Sequence, residues 1–127
     1  MKIVVLGGAG KMGVLAVEDL VLNEHVSELV IADRDQELSQ AIADALNSPK
    51  ISVQPVDLND HRALVQLLQS ADACLNATVY YTNLKVMEAC LGAQTHYTDL
   101  GGLFHGTLEQ LKFSDRFAEA GISAVLG

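Results

Sequence analysis

Cross-links, chain breakers and positive charge are all scarce in this sequence. Only two cysteines, Cys74 and Cys90, occur in 127 residues. That is too few for a disulfide scaffold and suits a reducing, cytoplasmic setting. Only two prolines are present, and the ten glycines follow no period, which excludes collagen and proline-rich disorder. Eight Lys and Arg stand against 16 Asp and Glu, a net charge of −8. Such a chain has no basic stripe for a nucleic acid, and an anionic membrane surface would repel it. No apolar run approaches the ~20 residues that a bilayer-spanning helix needs. The opening Met1-Lys2-Ile3 soon meets glycines, so no signal peptide is expected. Repeats, linkers and low-complexity stretches are also absent from the pattern. What remains is half hydrophobic and 19% charged, with mean hydropathy +0.25, the make-up of one globular domain.

Short apolar runs alternate with longer runs of 3.6 period. Strands are expected at Lys2–Leu6, Glu28–Ala32, Ile51–Val56, Asp72–Ala77, Thr95–Thr98 and Ile122–Leu126. Pro55 suits an edge or a strand end. Helices are expected over Lys11–Leu22, Gln36–Leu46, Asp60–Gln69, Thr82–Leu91 and Thr107–Ala120. The first should turn Met12, Leu15, Ala16 and Leu20 inward, and the third Leu64, Leu67 and Leu68. Asn59 or Asp60 suits an N-cap, and Gly92 and Gly121 suit helix C-termini. Alternation of this kind implies an α/β doubly wound parallel sheet of six strands, order 3-2-1-4-5-6, with helices on both faces.

Gly8-Ala9-Gly10-Lys11-Met12-Gly13 is G-x-G-x-x-G directly after a strand and at the opening of a helix. In that context it reads as a dinucleotide-binding fingerprint, and the fold as a Rossmann domain. Gly8 would make the tight turn, Gly10 would admit a pyrophosphate, and Gly13 would let helix and strand pack closely. The phosphates would sit on the free N–H groups of the helix, where the macrodipole favours an anion. Asp33 ends the second strand, twenty residues beyond Gly13, where an acid accepts from the adenosine ribose hydroxyls. An acid there repels a 2′-phosphate, which favours NAD over NADP. Arg34 complicates this, because its guanidinium could stack on adenine or meet a 2′-phosphate. Asp57, followed by Leu58 in the loop passing the adenine edge, either accepts from the exocyclic amine or merely flanks a helix.

Ligands of such sheets lie outside the carboxyl ends of the strands. Asn76, Ala77 and Thr78 at the end of the fourth strand are expected to face the nicotinamide, unless Asn76 is only a turn residue. Tyr80 and Tyr81 either wall that pocket or cover an apolar patch. Asp99, before Leu100-Gly101-Gly102, either orients a substrate amine or caps its loop. It is a candidate for a catalytic role that the sequence otherwise leaves unassigned, and Gly101 joins it beside the cofactor. His96 and His105 qualify for proton transfer by residue type alone, while His25 and His61 read as surface residues. No spacing suggests a metal site. Tyr81-Thr82-Asn83-Leu84-Lys85 is Y-x-x-x-K, and Gly7, Gly10 and Gly13 satisfy G-x-x-G-x-x-G. Together these suggest a short-chain dehydrogenase, but the pair falls one strand too early and lacks an upstream serine.

Four segments carry a family resemblance: Val4–Gly13, Ile31-Ala32-Asp33-Arg34, Leu75-Asn76-Ala77, and His96-Tyr97-Thr98-Asp99-Leu100-Gly101-Gly102. They resemble the amino-terminal domain of the saccharopine dehydrogenase-like family, with Y-x-D-L-G-G the most specific part. The resemblance implies NAD(P)-dependent hydride transfer at an amine-bearing carbon of a small amino-acid substrate. It also implies a further substrate and dimerisation domain beyond Gly127, so the chain is expected to be a single cofactor domain, inactive alone, that self-associates through apolar surface around Phe104, Phe113, Phe117 and the Ile122–Leu126 strand. A stand-alone NAD(P)-sensing module is the alternative.

Overall fold

The computed structural model describes residues 1–127. β1 (Lys2–Leu6) leads into α1 (Lys11–Leu22), followed by β2 (Glu28–Asp33), α2 (Gln36–Leu46), β3 (Ile51–Pro55) and α3 (His61–Leu68). β4 (Ala73–Asn76) passes through a 3-10 turn over Tyr80–Thr82 into α4 (Asn83–Ala93). β5 (His96–Asp99), α5 (Phe104–Leu111), α6 (Ser114–Glu119) and β6 (Ala124–Val125) complete the order. The six strands are all parallel, in the order 3-2-1-4-5-6 expected from the pattern. Pro55 ends the edge strand β3, where its missing N–H costs no ladder bond.

Side chains alternate across β1 and divide the core in two. Ile3 and Val5 pack with Val17 of α1 and Leu29 and Ile31 of β2, with Ile42 and Leu46 of α2 against them. Val4 and Leu6 pack on the opposite face with Leu64, Leu68, Met87 and Phe117. Helices therefore cover both faces of the sheet, which is why the central strands β1 and β2 are apolar in near-continuous runs, while β3 and β5 carry polar residues.

Several expectations need correction. Met12 and Leu15 face solvent, 58% and 56% exposed, while Gly13 and Val17 are the buried residues of α1. Gly13 sets that rotation: a Cβ there would fall onto the Gly7 carbonyl oxygen, so only glycine can face the turn. Gly92 does not end its helix; α4 continues to Ala93 and closes at left-handed Gln94. A Cβ on Gly92 would lie 3.3 Å from Val65 Cγ2, so its bareness serves the packing of α3 on α4. The single helix expected over Thr107–Ala120 is two, α5 and α6, broken at Lys112-Phe113, which swings Phe117 into the core at 3% exposure. Phe117 is thus not surface, although Phe104 is 71% exposed. β6 is shorter than expected, two residues. Gly121 closes α6 as expected: at φ +69 it lets its own N–H and that of Ile122 bond the carbonyls of Ala118 and Phe117.

Candidate functional site

At the end of β1 the chain reverses at Gly7, φ +71, a left-handed conformation that favours glycine. Its N–H donates to the Ala32 carbonyl at 2.8 Å, and its own carbonyl accepts from Gly10 N–H at 2.9 Å. The tight turn therefore belongs to Gly7 and not, as the motif suggested, to Gly8. Gly8 is buried, and a Cβ on it would meet Ile31 Cγ2 at 3.0 Å and the Val5 carbonyl oxygen at 3.1 Å. Gly10 is the N-cap of α1, and a Cβ on it would meet only the Gly7 carbonyl oxygen, at 3.1 Å. Gly7 is the site residue that the sequence reading missed; its signal was the second spacing, G-x-x-G-x-x-G.

α2 and α3 begin with side-chain caps, Asp35 accepting from Leu38 N–H and Asp60 from Ala63 N–H. α1 has neither a side-chain cap nor an acid in its first turn. The N–H groups of Lys11, Met12 and Gly13 have no partner in the protein. Three unpaired donors at a helix N-terminus, approached through bare glycine backbone, form a seat for an anion.

Asp33 stands beside this seat. One carboxylate oxygen accepts from Ala9 N–H at 3.2 Å, the other from Asp35 N–H at 3.1 Å. Most cations of the protein are engaged: Lys2 with Glu28, Lys112 with Glu109, Arg116 with Glu88, Lys85 with Asn59, and Lys50 with the last carbonyls of α1. Lys11, Arg34 and Arg62 have no partner, and each follows the carboxyl end of β1, β2 or β3. Free positive charge in an acidic protein is thus collected on one half of one sheet edge.

The other half begins at β4. A Cβ on Gly7 would sit 2.8 Å from Thr78 Cγ2, so the glycine turn and the loop after β4 are in direct contact. Ala77 N–H donates to the Leu6 carbonyl at 2.9 Å. Asn76 is 1% exposed, and its amide is used internally: Nδ2 donates to Asn83 Oδ1 at 2.9 Å, and Oδ1 accepts from Thr78 Oγ1 at 2.6 Å. Asp99 is buried too. Its Oδ2 accepts from Tyr97 OH at 2.7 Å and Gln110 Nε2 at 2.6 Å, its Oδ1 from Gly101 N–H at 2.8 Å and Gly127 N–H at 3.0 Å. Of the two roles open to Asp99, the structure supports the loop cap, since four donors hold the carboxylate inside the protein. Gly101 takes φ +81 to complete that cap. Burial and the Asp99 carboxylate push the Tyr97 phenol far above its ordinary pKa.

Other candidates lie apart. Asp57 is exposed, and its carboxylate accepts from Asn59 N–H at 2.8 Å, the helix-flanking role. Leu58 packs against the core. His96 begins β5, at the amino end of the sheet, and its Nδ1 accepts from Ser123 N–H at 3.0 Å; it is not at the ligand edge. His105 is exposed beside Phe104, and His25 and His61 are exposed as expected. Tyr81 is 74% exposed while Lys85 Nζ reaches Asn59, so the two do not act as a Tyr–Lys pair. Tyr80 packs on Gly102, where a Cβ would strike its side chain, and the Tyr80 and Tyr81 rings meet edge to face at 5.6 Å. No group of His, Cys, Asp and Glu could hold a metal ion, and no helix is long and apolar enough to cross a membrane.

This geometry agrees with what comparison finds. Residues 3–125 match the family model of the saccharopine dehydrogenase NADP-binding domain. The chain belongs to this family. It is 29% identical, over 100% of its own length and 34% of the relative's, to carboxyaminopropylagmatine dehydrogenase of Synechocystis sp.. Among solved structures it resembles saccharopine dehydrogenase (L-Glu forming) from Saccharomyces cerevisiae, with TM-score 0.78, 19% identity, and coverage of 99% of this chain and 27% of that one. The triphenylmethane reductase of Citrobacter sp., complexed with NADP(H), matches at TM-score 0.76 and 18% identity, over 99% and 48% of the two chains. These structural likenesses show the fold. The chain spans about a third of the length of the curated relative. It is an NADP-binding domain of the saccharopine dehydrogenase-like oxidoreductases.

Proposed function

We propose that this domain seats the pyrophosphate of NADP(H) on the free N–H groups of Lys11, Met12 and Gly13. The adenosine ribose then lies at Asp33 and Arg34, and the nicotinamide beside Gly7, Ala77 and Thr78. The observation that carries this reading is the uncapped start of α1 behind a turn whose glycines leave no room for side chains. Charge at Asp33 alone favours NAD. Against it stand the unpaired Arg34 next to an Asp33 whose oxygens already accept two backbone bonds, and the NADP-binding character of the family. We therefore assign the 2′-phosphate to Arg34, a planar fork suited to it.

The chemistry served is hydride transfer between the nicotinamide and an amine-bearing carbon of an amino-acid substrate. Its support is the family and the dehydrogenase names of the relatives. This chain's part would be to orient the nicotinamide. With Asp99 and Tyr97 enclosed, its carboxyl-end face offers no set of base and orienting group, so the domain binds without turnover. A free-standing NAD(P)-sensing role would use the same seat. The exposed Tyr80, Leu103, Phe104 and Leu108 beside the nicotinamide end support self-association. The buried free thiols of Cys74 and Cys90 suit a reducing cytoplasm.

Calorimetric titration tests the cofactor assignment. The unaltered protein is expected to bind NADPH at least as tightly as NADH. Arg34→Ala should weaken NADPH about tenfold, the order of a lost charge-assisted contact, and leave NADH unchanged. Equal loss of both, or no loss of NADPH, would contradict the assignment.

A further inference from the structure

Seven polar side chains are buried: Ser39, Asn76, Thr82, Asn83, Thr95, Asp99 and Gln110. Ser39 and Thr95 only donate to nearby backbone carbonyls. The other five share one hydrogen-bonded network across the carboxyl ends of β4 and β5, and none has an unsatisfied buried polar atom. A network of this kind is costly to bury, so its geometry matters more than its net stability.

Its main line has a direction. Asp99 is a carboxylate and can only accept, so Gln110 must turn its NH2 toward it, at 2.6 Å. The Gln110 oxygen then faces Asn83 Nδ2, at 3.4 Å. The Asn83 oxygen faces Asn76 Nδ2, at 2.9 Å. The Asn76 oxygen is left facing the Thr78 hydroxyl at 2.6 Å and the Thr78 N–H at 3.3 Å. Turning any one amide over would set oxygen against oxygen. The charge on Asp99 thereby fixes how Thr78 is held four links away, and Thr78 is the residue against Gly7.

We infer that Gln110 is a positioning residue for the nicotinamide half of the cofactor site. It acts through Asn83 and Asn76 on the Thr78 loop and touches no cofactor itself. The inference rests on the cofactor placement proposed above. It differs from a purely structural role in one respect: the network contacts the β4 side of the crevice and not Asp33, Arg34 or the start of α1, so the adenosine half should not feel it.

The experiment compares NADPH with adenosine 2′,5′-bisphosphate, which carries the adenosine half alone, on the full chain. Gln110→Met keeps the side-chain length and removes the relay. Asn83→Ala breaks the same relay by removing both the donor to Gln110 and the acceptor of Asn76; it buries no charge, suits the start of α4, and leaves Asn76 Nδ2 bonded to Thr82 Oγ1. Each variant is expected to bind NADPH about tenfold more weakly, with less enhancement of nicotinamide fluorescence, and to bind the bisphosphate as the unaltered protein does. A parallel fall in both ligands, or no change in either, would overturn the positioning role. If the unaltered protein binds neither ligand, the cofactor placement itself fails and the inference falls with it.

Discussion

Asp33, at the end of β2, accepts a hydrogen bond from the backbone N–H of Ala9 at 3.2 Å. The residue expected to read the ribose is also a strut of the glycine turn. Its second oxygen holds Asp35 N–H, ahead of α2. Asp33→Ala should therefore weaken NADH and NADPH together, because it loosens the turn under both, and lower stability by about 1–2 kcal/mol. Titration alongside denaturant unfolding checks this. A variant that loses NADH binding alone, at full stability, would show that Asp33 acts only on the ribose.

The three turn glycines should not tolerate change equally. At Gly10 an added Cβ meets one carbonyl oxygen at 3.1 Å, and φ is −72, open to any residue. Gly10→Ala is expected to fold with a loss of at most about 1 kcal/mol. At Gly13 the Cβ would fall onto the Gly7 carbonyl, and Gly7 itself is left-handed against Thr78. Gly13→Ala and Gly7→Ala should each cost on the order of 2–4 kcal/mol. Equal midpoints in urea for all three variants would contradict this ranking.

Tyr97 should make the protein sensitive to alkali. Burial and the Asp99 carboxylate raise its pKa above the ordinary value of 10.0. The folded state then holds the phenolic proton more tightly than the unfolded state. That contribution is complete below pH 10 and is lost as the pH rises beyond it, at up to about 1.4 kcal/mol per pH unit. Tyr97→Phe should cost about 2 kcal/mol at neutral pH, through the lost bond to Asp99, and should flatten the alkaline slope. An unchanged slope in the variant would place the alkaline transition elsewhere.

The architecture was legible because its signals are local. Apolar runs marked the strands, glycine and aspartate marked turns and caps, and parallel topology followed from alternation. The Gly8–Gly13 motif and Asp33 were placed correctly beside one another for the same reason. The errors came where tertiary contacts decide. Periodicity turned Met12 and Leu15 inward, but the missing Cβ of Gly13 rotates α1 the other way. Nothing in the local sequence breaks the helix at Lys112-Phe113; the gain is burial of Phe117. Asn76 and Asp99 look like ligand-facing polar residues at strand ends. Only the folded chain reveals Gln110, eleven residues beyond Asp99, as the partner of Asp99, and Asn83, bonded in turn to Gln110, as the partner of Asn76.

The most direct test is titration of NADPH into the protein and into Gly10→Val, with circular dichroism on both. The account predicts saturable binding by the unaltered chain and none by the variant. The spectrum should be unchanged, because the valine projects from an exposed N-cap into the path of the pyrophosphate rather than into the core. Equal NADPH binding by the two proteins would contradict it.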